Sequence, residues 1–457
     1  MIRLLLVSVV HPASEIEQRY PDLGLGYLAA VLQKAFTKNE VDIRIINKDF
    51  ERVLQDYQPH LVGLRTVSQN YRQAQRMARM AREAGVPVLI GGIHISALPQ
   101  SLDHAMTVAC LGEGEETIVD LLRLYLDRGE FPGDRLAGVP GIAFWDGDRV
   151  ALTGPRKPIA DLDEIPFPAR ELLDIKRHSY MFTSRGCPHR CRFCASSAFW
   201  DRLRFFSANY VINEIGFLVE DFGAKFISFY DDMFISDIKR LRDIADGLNR
   251  TNLLNKIKFS CSCAAANITE EVAQILKAMN VVSVGMGLES GCDRTLKFLK
   301  GKAFSVEKNR LAVEILKKNR IAANASFVIG SPQETAAEIM ETYDFIKTTP
   351  LNLVDVYVLM PYPGTPIWQY ALSRGLVRED GDMDWERLNV NFEVSQQDAI
   401  ILSEALTREG ICQLYGKFRR QRFWRNLRNI WRHPFLGDLP RVAVKSLTER
   451  IWRMHHG

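Results

Sequence analysis

The sequence predicts an α/β protein with two successive parallel-sheet domains and a helical, basic C-terminal extension. Short apolar runs alternate with amphipathic stretches over residues 1–130 and again over residues 176–375. Such alternation indicates a parallel sheet covered by helices on both faces. The distinctive motifs follow predicted strands, and ligands of parallel sheets bind at the carboxyl ends of the strands. The 457 residues are also too many for one ordinary core.

The first series predicts a Rossmann-like domain, because strands and helices alternate singly. Its strands are predicted at Arg3–Val10, Val41–Asn47, Leu61–Thr66, Val86–Ile90 and Ala105–Leu111, and its helices at Gly26–Ala35, Tyr71–Ala84 and Thr117–Arg128. Residues 131–175 are richer in Gly, Pro and Asp and are predicted to form a linker. A hairpin of Gly141–Phe144 and Arg149–Leu152 is expected within it.

The second series predicts a partial (β/α)6 barrel. Its strands are predicted at Tyr180–Ser184, Phe226–Tyr230, Lys258–Cys263, Val281–Leu288, Ala323–Ile329 and Val354–Leu359, with helices such as Ala208–Asp221, Asp237–Arg250, Glu270–Ala278 and Val306–Lys318. In barrels the chemistry gathers at the carboxyl ends of the strands. Residues 376–457 are then left as the C-terminal extension.

A cluster of three cysteines is the strongest chemical signal. The chain has eight cysteines, and Cys187, Cys191 and Cys194 follow a predicted strand with the spacing Cys-x3-Cys-x2-Cys. Thiolates are the usual ligands of iron–sulfur clusters, and three of them leave one iron of a four-iron cluster open. A zinc site completed by His189, or buried free cysteines, are the alternatives. Zinc ligands typically come as two separated pairs, and no second pair is present.

The cysteine motif resembles the signature of the radical S-adenosylmethionine superfamily, and the resemblance covers about residues 176–370. It implies that the three cysteines bind a [4Fe–4S] cluster whose open iron chelates S-adenosylmethionine. Phe193 matches the aromatic residue that packs near the adenine of that cofactor. An electron from a donor such as flavodoxin or ferredoxin would cleave the cofactor to methionine and a 5′-deoxyadenosyl radical, which abstracts a substrate hydrogen.

Polar motifs at other strand ends also resemble this family. Asp231 and Asp232 match an Asp-Asp-x-Phe motif that implies contacts to cofactor amino groups or to substrate, although either residue could instead cap a helix. Glu289 and Ser290 match a Gly-x-Glu-Ser motif that implies contact with S-adenosylmethionine, again with helix capping as the alternative. Tyr362 lies in a Pro-rich loop after the sixth strand and is expected to face substrate.

The first domain contains Gly24-x-Gly26-x-x-Ala29, which mimics a dinucleotide-binding fingerprint. The glycines come about fourteen residues after the strand rather than in its immediate turn, so that interpretation is rejected.

The domain instead resembles the cobalamin-binding domain that is fused to many radical S-adenosylmethionine enzymes. The residues expected to contact cobalamin are Gly91, Gly92, His94, Gly112 and Gly114. Glycines at strand ends would let the flat corrin approach the backbone. The Asp-x-His-x-x-Gly motif that places a His on cobalt is absent, so cobalamin is expected to bind without that ligand. Two alternatives stay open: a structural role for His94, and a relic domain that binds nothing.

The basic character of the chain belongs to its tail. The net charge is +4, yet residues 413–457 carry eleven Lys/Arg and two Asp/Glu, against 48 basic and 53 acidic residues elsewhere. Phe423, Leu427, Ile430 and Trp431 fall at helical spacing among these cations, and a second such stretch runs over residues 441–453. Peripheral membrane contact and packing on the barrel are both consistent with this pattern. Nucleic-acid binding is disfavoured, because no recognition module accompanies the tail.

We expect a cytoplasmic enzyme, possible membrane contact aside, because no apolar run reaches the length of a membrane span. The leading hypothesis is cobalamin-dependent C-methylation of an unactivated carbon in a small-molecule or lipid-like substrate. The first alternative is a radical cyclase or oxidoreductase without methyl transfer. The second is a non-catalytic cobalamin or iron–sulfur sensor. A methylthiotransferase is disfavoured, because the first domain offers only Cys110 for a second cluster.

Overall fold

The structure, a computed structural model, describes residues 1–11, 21–379, 383–389, 392 and 397–429. Its first sheet has seven strands in the order β2-β1-β3-β4-β5-β6-β7. The strands are β1 (Ile2–Ser8), β2 (Val41–Ile46), β3 (Leu61–Arg65), β4 (Val88–Gly91), β5 (Val108–Cys110), β6 (Ile142–Asp146) and β7 (Arg149–Leu152). Strands β1 to β5 are parallel. The apolar runs of the inner strands β1, β3, β4 and β5 reflect burial on both faces of the sheet, whereas the edge strand β2 carries Asp42 and Arg44.

Helices cover both faces of this sheet, as the alternation predicts. They are α1 (Leu23–Ala35), α2 (Phe50–Tyr57), α3 (Tyr71–Glu83), α4 (Ile93–Ala97), α5 (Glu115–Arg128) and α6 (Gly133–Leu136). Asp22 caps α1 by accepting a hydrogen bond from the Leu25 amide at 3.2 Å. Helices α2, α4 and α6 are absent from the sequence prediction, because each is shorter than the window of about 11 residues over which helical periodicity is recognised.

The hairpin predicted inside the linker extends the first sheet. Strand β6 pairs antiparallel with β5, and β7 pairs antiparallel with β6. Ile142 and Ala143 are fully buried in that pairing. The hairpin therefore supplies the antiparallel edge of an otherwise parallel sheet, a common feature of doubly wound folds.

The second sheet has six parallel strands in the order β15-β14-β13-β12-β11-β8. They are β8 (His178–Met181), β11 (Phe226–Phe229), β12 (Lys258–Cys263), β13 (Val281–Glu289), β14 (Ala322–Ile329) and β15 (Leu353–Val358). The intervening helices are α7 (Ala195–Phe199), α8 (Ala208–Glu220), α9 (Ile238–Arg250), α10 (Glu270–Ala278), α11 (Asp293–Lys300), α12 (Val306–Lys318) and α13 (Ala336–Thr348). Because β8 and β15 are both edges, the sheet is an open partial barrel, and the predicted fold class is confirmed.

The first barrel strand ends earlier than predicted. Strand β8 stops at Met181, and β9 (Ser184–Arg185) then pairs antiparallel with β10 (Arg204–Phe205). The cysteine loop lies between these two short strands, so both of its ends are held together.

Helix α14 (Pro366–Ser373) follows the last barrel strand, and the C-terminal extension contains helix α15 (Arg408–Asn429). Helix α15 packs against β15 and α13, with Phe418 buried and Phe423 and Trp424 exposed. The Arg425 guanidinium donates to the Leu351 carbonyl at 2.8 Å. The side chains of Leu427, Ile430 and Trp431 and the stretch 441–453 lie outside the described residues. Within the described part of the chain, no helix has the length and apolar character of a membrane span.

Candidate active site between the two sheets

A cavity of about 400 Å³ lies between the two domains. It is bounded by the carboxyl ends of the strands of the first sheet and by the segments that follow the barrel strands β8 and β11. From the first domain it is lined by residues that include Tyr27, Gly63, Arg65, Gly91, Gly92, Gly112, Glu113 and Gly114. From the barrel it is lined by Phe182, Ser184, Arg185, Gly186, Ser196, Phe199, Trp200 and Asp232. The predicted cobalamin wall and the segments that flank the cysteine motif therefore share one cavity, although they lie far apart in the sequence. The three cysteines of that motif, Phe193 and Glu289 are not among its lining residues.

The four predicted cobalamin glycines all line this cavity. A Cβ at Gly92 (φ +108°) would lie 2.4 Å from the Thr66 carbonyl oxygen, so only glycine fits there. Gly112 (φ +75°) has no neighbouring atom within 4 Å of its Cβ position and borders open space. A Cβ at Gly114 would lie 3.2 Å from Leu28. Backbone is exposed along this wall, which fits a broad, flat group such as a corrin.

His94 lies outside the cavity lining. The side chain is fully buried, its Nδ1 lies 3.0 Å from the Ser68 hydroxyl, and its Nε2 lies 3.2 Å from the Ser101 hydroxyl. Its ring packs 4.0 Å from the Tyr71 ring centre. Burial lowers the pKa of His94 to about 3, so the imidazole is neutral. With both ring nitrogens engaged, the structural role is the one that the contacts support.

The cysteine loop begins with a turn that requires glycine. Gly186 has φ +91°, and a Cβ there would lie 2.6 Å from the Arg202 carbonyl oxygen. Cys187, Cys191 and Cys194 are each partly exposed free thiols, whereas Cys110, Cys261, Cys263 and Cys292 are buried.

Three accessible thiols on one short loop form a donor set that suits an iron–sulfur cluster. Burial raises the pKa of Cys187, and it raises the pKa of Cys191 to about 12; the Lys300 ammonium opposes both shifts. Within the described residues, no three His, Cys, Asp or Glu side chains surround a point that one metal ion could occupy.

Backbone hydrogen bonds hold the cysteine loop, at Arg192, to α11 and α14. The Arg192 amide donates to the Leu299 carbonyl at 2.9 Å, and the Ile367 amide donates to the Arg192 carbonyl at 3.2 Å. Phe193 is partly buried against the apolar core beside α14. Phe193 directly precedes Cys194, and its contact with the adenine of S-adenosylmethionine stays a prediction.

Adjacent aspartates at the end of β11 have different surroundings. Asp231 is buried and accepts hydrogen bonds from the Thr183 amide at 2.6 Å, the Ser184 amide at 3.1 Å and the Thr183 hydroxyl. It therefore anchors the segment that leads into the cysteine loop. Asp232 opens to the cavity, where its carboxylate accepts a hydrogen bond from the Ser196 hydroxyl and burial raises its pKa. The cap of the following helix is Asp237 rather than either of them.

Glu289 is paired with a buried lysine that the sequence analysis did not single out. Its backbone is left-handed (φ +61°), and its Oε1 lies 3.5 Å from the Lys300 Nζ. Both side chains are less than a tenth exposed. Burial raises the pKa of Glu289, and Lys300 counteracts that shift. Only the fold brings the last residue of α11 back to the end of β13, and no local pattern marks Lys300.

Ser290 and Tyr362 do not line the cavity. Ser290 is fully buried, and its hydroxyl accepts from the Cys292 amide at 3.1 Å and lies 3.1 Å from the Thr342 hydroxyl. Tyr362 is partly buried between the two cores, and its carbonyl accepts from the Thr365 hydroxyl at 2.6 Å. Direct contact of either residue with a ligand stays a prediction.

Family models match both halves of the chain. The Radical SAM superfamily model matches residues 181–346, and the B12 binding domain model matches residues 12–122. An uncharacterised methyltransferase of Pyrococcus horikoshii is 29% identical over 96% of this chain and 91% of its own length. The anaerobic magnesium-protoporphyrin IX monomethyl ester cyclase of Cereibacter sphaeroides is 25% identical over 90% of this chain and 70% of its own.

A solved structure shares the fold across both domains. The radical S-adenosylmethionine methyltransferase TsrM of Kitasatospora setae superposes with a TM-score of 0.67 at 19% identity, covering 83% of this chain and 77% of that one. The two family matches and the shared cavity lead to one assignment. The chain joins a domain of the Radical SAM superfamily, residues 181–346, to an N-terminal B12 binding domain, residues 12–122.

Proposed function

We propose that this chain is a cobalamin-dependent radical S-adenosylmethionine methyltransferase acting on an unactivated carbon. The proposal rests on a single cavity that has two walls. One wall is formed by Gly91, Gly92, Gly112 and Gly114 of the first domain, which we call the glycine wall, and the other includes the segment that leads into the cysteine loop. Methyl transfer from one cofactor to a substrate activated by the other needs both groups at one place. When bound, the cluster and S-adenosylmethionine supply a hydrogen-abstracting radical, and cobalamin supplies the methyl group.

The residues of the chain have distinct tasks in this proposal. Cys187, Cys191 and Cys194 hold the cluster. Asp232 faces the cavity and accepts hydrogen bonds, either from the cofactor amino group or from substrate. Glu289, held by Lys300, contacts S-adenosylmethionine at the end of β13.

The wall of the cavity also restricts which molecules enter it. Phe182, Phe199 and Trp200 give its barrel side an apolar surface. The lining is mainly apolar, so a substrate with an extended apolar surface fits best. Tetrapyrroles and lipid-like molecules share this property, and the cyclase relative acts on a tetrapyrrole by its name.

That cyclase relative also supports the rival function, radical chemistry without methyl transfer. The two functions differ in their products from S-adenosylmethionine. A methyltransferase releases S-adenosylhomocysteine in addition to 5′-deoxyadenosine and methionine, whereas a cyclase or oxidoreductase releases 5′-deoxyadenosine and methionine without S-adenosylhomocysteine. A flavodoxin or ferredoxin supplies the electron in either case. If the substrate is lipid-like, we propose that the basic C-terminal tail contacts the membrane surface.

The first test is the cobalamin content per chain after anaerobic cluster reconstitution, read from the visible spectrum. About one equivalent supports the methyltransferase. An intact cluster without cobalamin would contradict it and favour the rival. The triple variant Cys187→Ala, Cys191→Ala, Cys194→Ala is expected to lose all cleavage of S-adenosylmethionine. Cys412→Ala, which removes a partly exposed cysteine on α15, is the matched control and should retain it.

A further inference from the structure

Four charged side chains join the two domains beside the cavity. Arg185 donates to the Glu113 carboxylate at 2.6 Å and to the Glu115 carboxylate, and Arg204 donates to both oxygens of Glu113 at 2.9 Å. All four side chains are less than a tenth exposed. We call this group, Glu113, Glu115, Arg185 and Arg204, the interdomain clamp.

The clamp balances charge in a place where imbalance is costly. Arg185 and Arg204 are directly opposite each other on β9 and β10, and like charges so placed repel. Glu113 lies between them, and its Oε2 also accepts from the Ile159 amide at 2.9 Å. Two acids against two arginines make the group neutral, which removes the cost of an unpaired buried charge.

The clamp residues are close in sequence to the two segments predicted to hold cofactors, the glycine-rich loop after β5 and the cysteine loop. Glu113 stands between Gly112 and Gly114 in the glycine wall. Arg185 is separated only by Gly186 from Cys187, the first cysteine of the loop. The hydrogen bonds therefore link one cofactor loop to the other directly, across 72 residues of sequence.

Aromatic faces restrict the clamp further. The Arg185 guanidinium lies 5.5 Å from the Tyr27 ring centre and 5.7 Å from the Trp200 ring centre. Arg204 lies 5.8 Å from the same Trp200 ring. Both rings line the cavity. A planar guanidinium held by two carboxylates and two rings has little rotational freedom.

We propose that the interdomain clamp sets the distance and orientation between the cobalamin and the iron–sulfur cluster, with Arg185 and Glu115 as positioning residues. The inference rests on the proposed function. Buried ion pairs add little net stability compared with apolar packing, and their attested use is to specify one arrangement among several. Here the specified arrangement is the relation between two cofactor loops that belong to different sheets.

The test uses the reconstituted full chain with both cofactors and the variant Glu115→Gln, which keeps the shape of the side chain but removes its charge. Electron paramagnetic resonance of cob(II)alamin beside the reduced cluster reports their spin–spin interaction, which depends steeply on distance. Wild type should show one well-defined interaction. Glu115→Gln should show a weakened or heterogeneous interaction at unchanged occupancy of both cofactors. Arg185→Lys keeps the charge but loses the fork that bridges two acids, and should behave similarly.

Asp120→Asn is the matched control, because Asp120 lies on the same helix and pairs at 2.5 Å with Arg156 rather than with the cysteine-loop segment. It should leave the spin–spin interaction as in wild type. An unchanged interaction in Glu115→Gln, or parallel loss of both cofactors and of thermal stability, would overturn the clamp as a positioning device while the proposed function stands. A wild type that holds no cobalamin would overturn both.

Discussion

Replacing Lys300 with Met tests the electrostatics of the candidate site most sharply. The Lys300 ammonium lies 3.5 Å from the Glu289 carboxylate and donates to the Gly287 carbonyl at 2.6 Å. Methionine retains most of the volume but none of the charge. Because both side chains are almost fully buried, the variant leaves a carboxylate without its partner. Removing one member of a buried pair costs about 3–5 kcal/mol, so the free energy of unfolding should fall by that amount near neutral pH.

The loss of unfolding free energy in Lys300→Met, relative to wild type, should be larger at high pH than at low pH. Burial already raises the pKa of Glu289 in the folded protein, and loss of Lys300 raises it further. A carboxyl whose folded pKa exceeds its unfolded pKa binds more protons when folded, so stability falls as pH rises between the two values. The variant should therefore be weakest above that window. Its deficit relative to wild type should shrink as pH falls and Glu289 becomes protonated.

The assay is urea unfolding of the cofactor-free chain, followed by circular dichroism at several pH values. Lys297→Met, an exposed position on the same helix, should change stability by less than about 0.5 kcal/mol. Adding Glu289→Gln to Lys300→Met should recover part of the loss, because no buried charge then remains. A Lys300→Met loss below about 1 kcal/mol, or a double variant as unstable as the sum of its singles, would refute the reasoning.

Three further predictions follow from neighbouring residues. Gly186→Ala should lower the free energy of unfolding by more than the roughly 1–2 kcal/mol of left-handed strain and should lower iron content after reconstitution. The control Gly223→Ala (φ +64°, with no atom within 4 Å of its Cβ position) should lose only the strain energy, and equal losses would contradict the steric argument. Asp231→Ala should lose about 2–4 kcal/mol in urea unfolding, while Asp232→Ala should stay within about 0.5 kcal/mol yet lose turnover of S-adenosylmethionine; the reverse pattern would exchange their roles. Gly114→Leu should weaken cobalamin binding at least about tenfold in a spectrophotometric titration without loss of cluster, and unchanged affinity would place the corrin elsewhere.

Local patterns in the chain were sufficient for the fold class. Strand and helix positions followed from apolar runs and periods, which depend on near neighbours along the chain. The cysteine spacing predicted an iron–sulfur segment, and the resemblance to a cobalamin-binding domain indicated the glycine-rich strand ends. Parallel strands bring such ends to one edge of a sheet. The three cysteines, Asp232 and the four glycines have surroundings that fit their predicted tasks.

Side-chain direction was beyond the reach of the same patterns. Asp231 and Asp232 are indistinguishable by sequence, yet one anchors a backbone segment and the other faces the cavity. His94 matched a resembling motif, but its imidazole is held by two hydroxyls away from the cavity. Such outcomes depend on which partners the fold delivers, not on residue type.

Short-range patterns along the chain were enough to predict the two parallel sheets and the cysteine loop, and the resemblance to a cobalamin-binding domain indicated the glycine wall. Only the three-dimensional packing shows that the predicted hairpin extends the first sheet, that Glu289 pairs with Lys300 and that the interdomain clamp forms. Glu113 and Arg185 are 72 residues apart, and each would be an ordinary surface charge if the domains did not meet. Their pairing depends on the packing of one sheet against another, which no periodicity within a segment encodes.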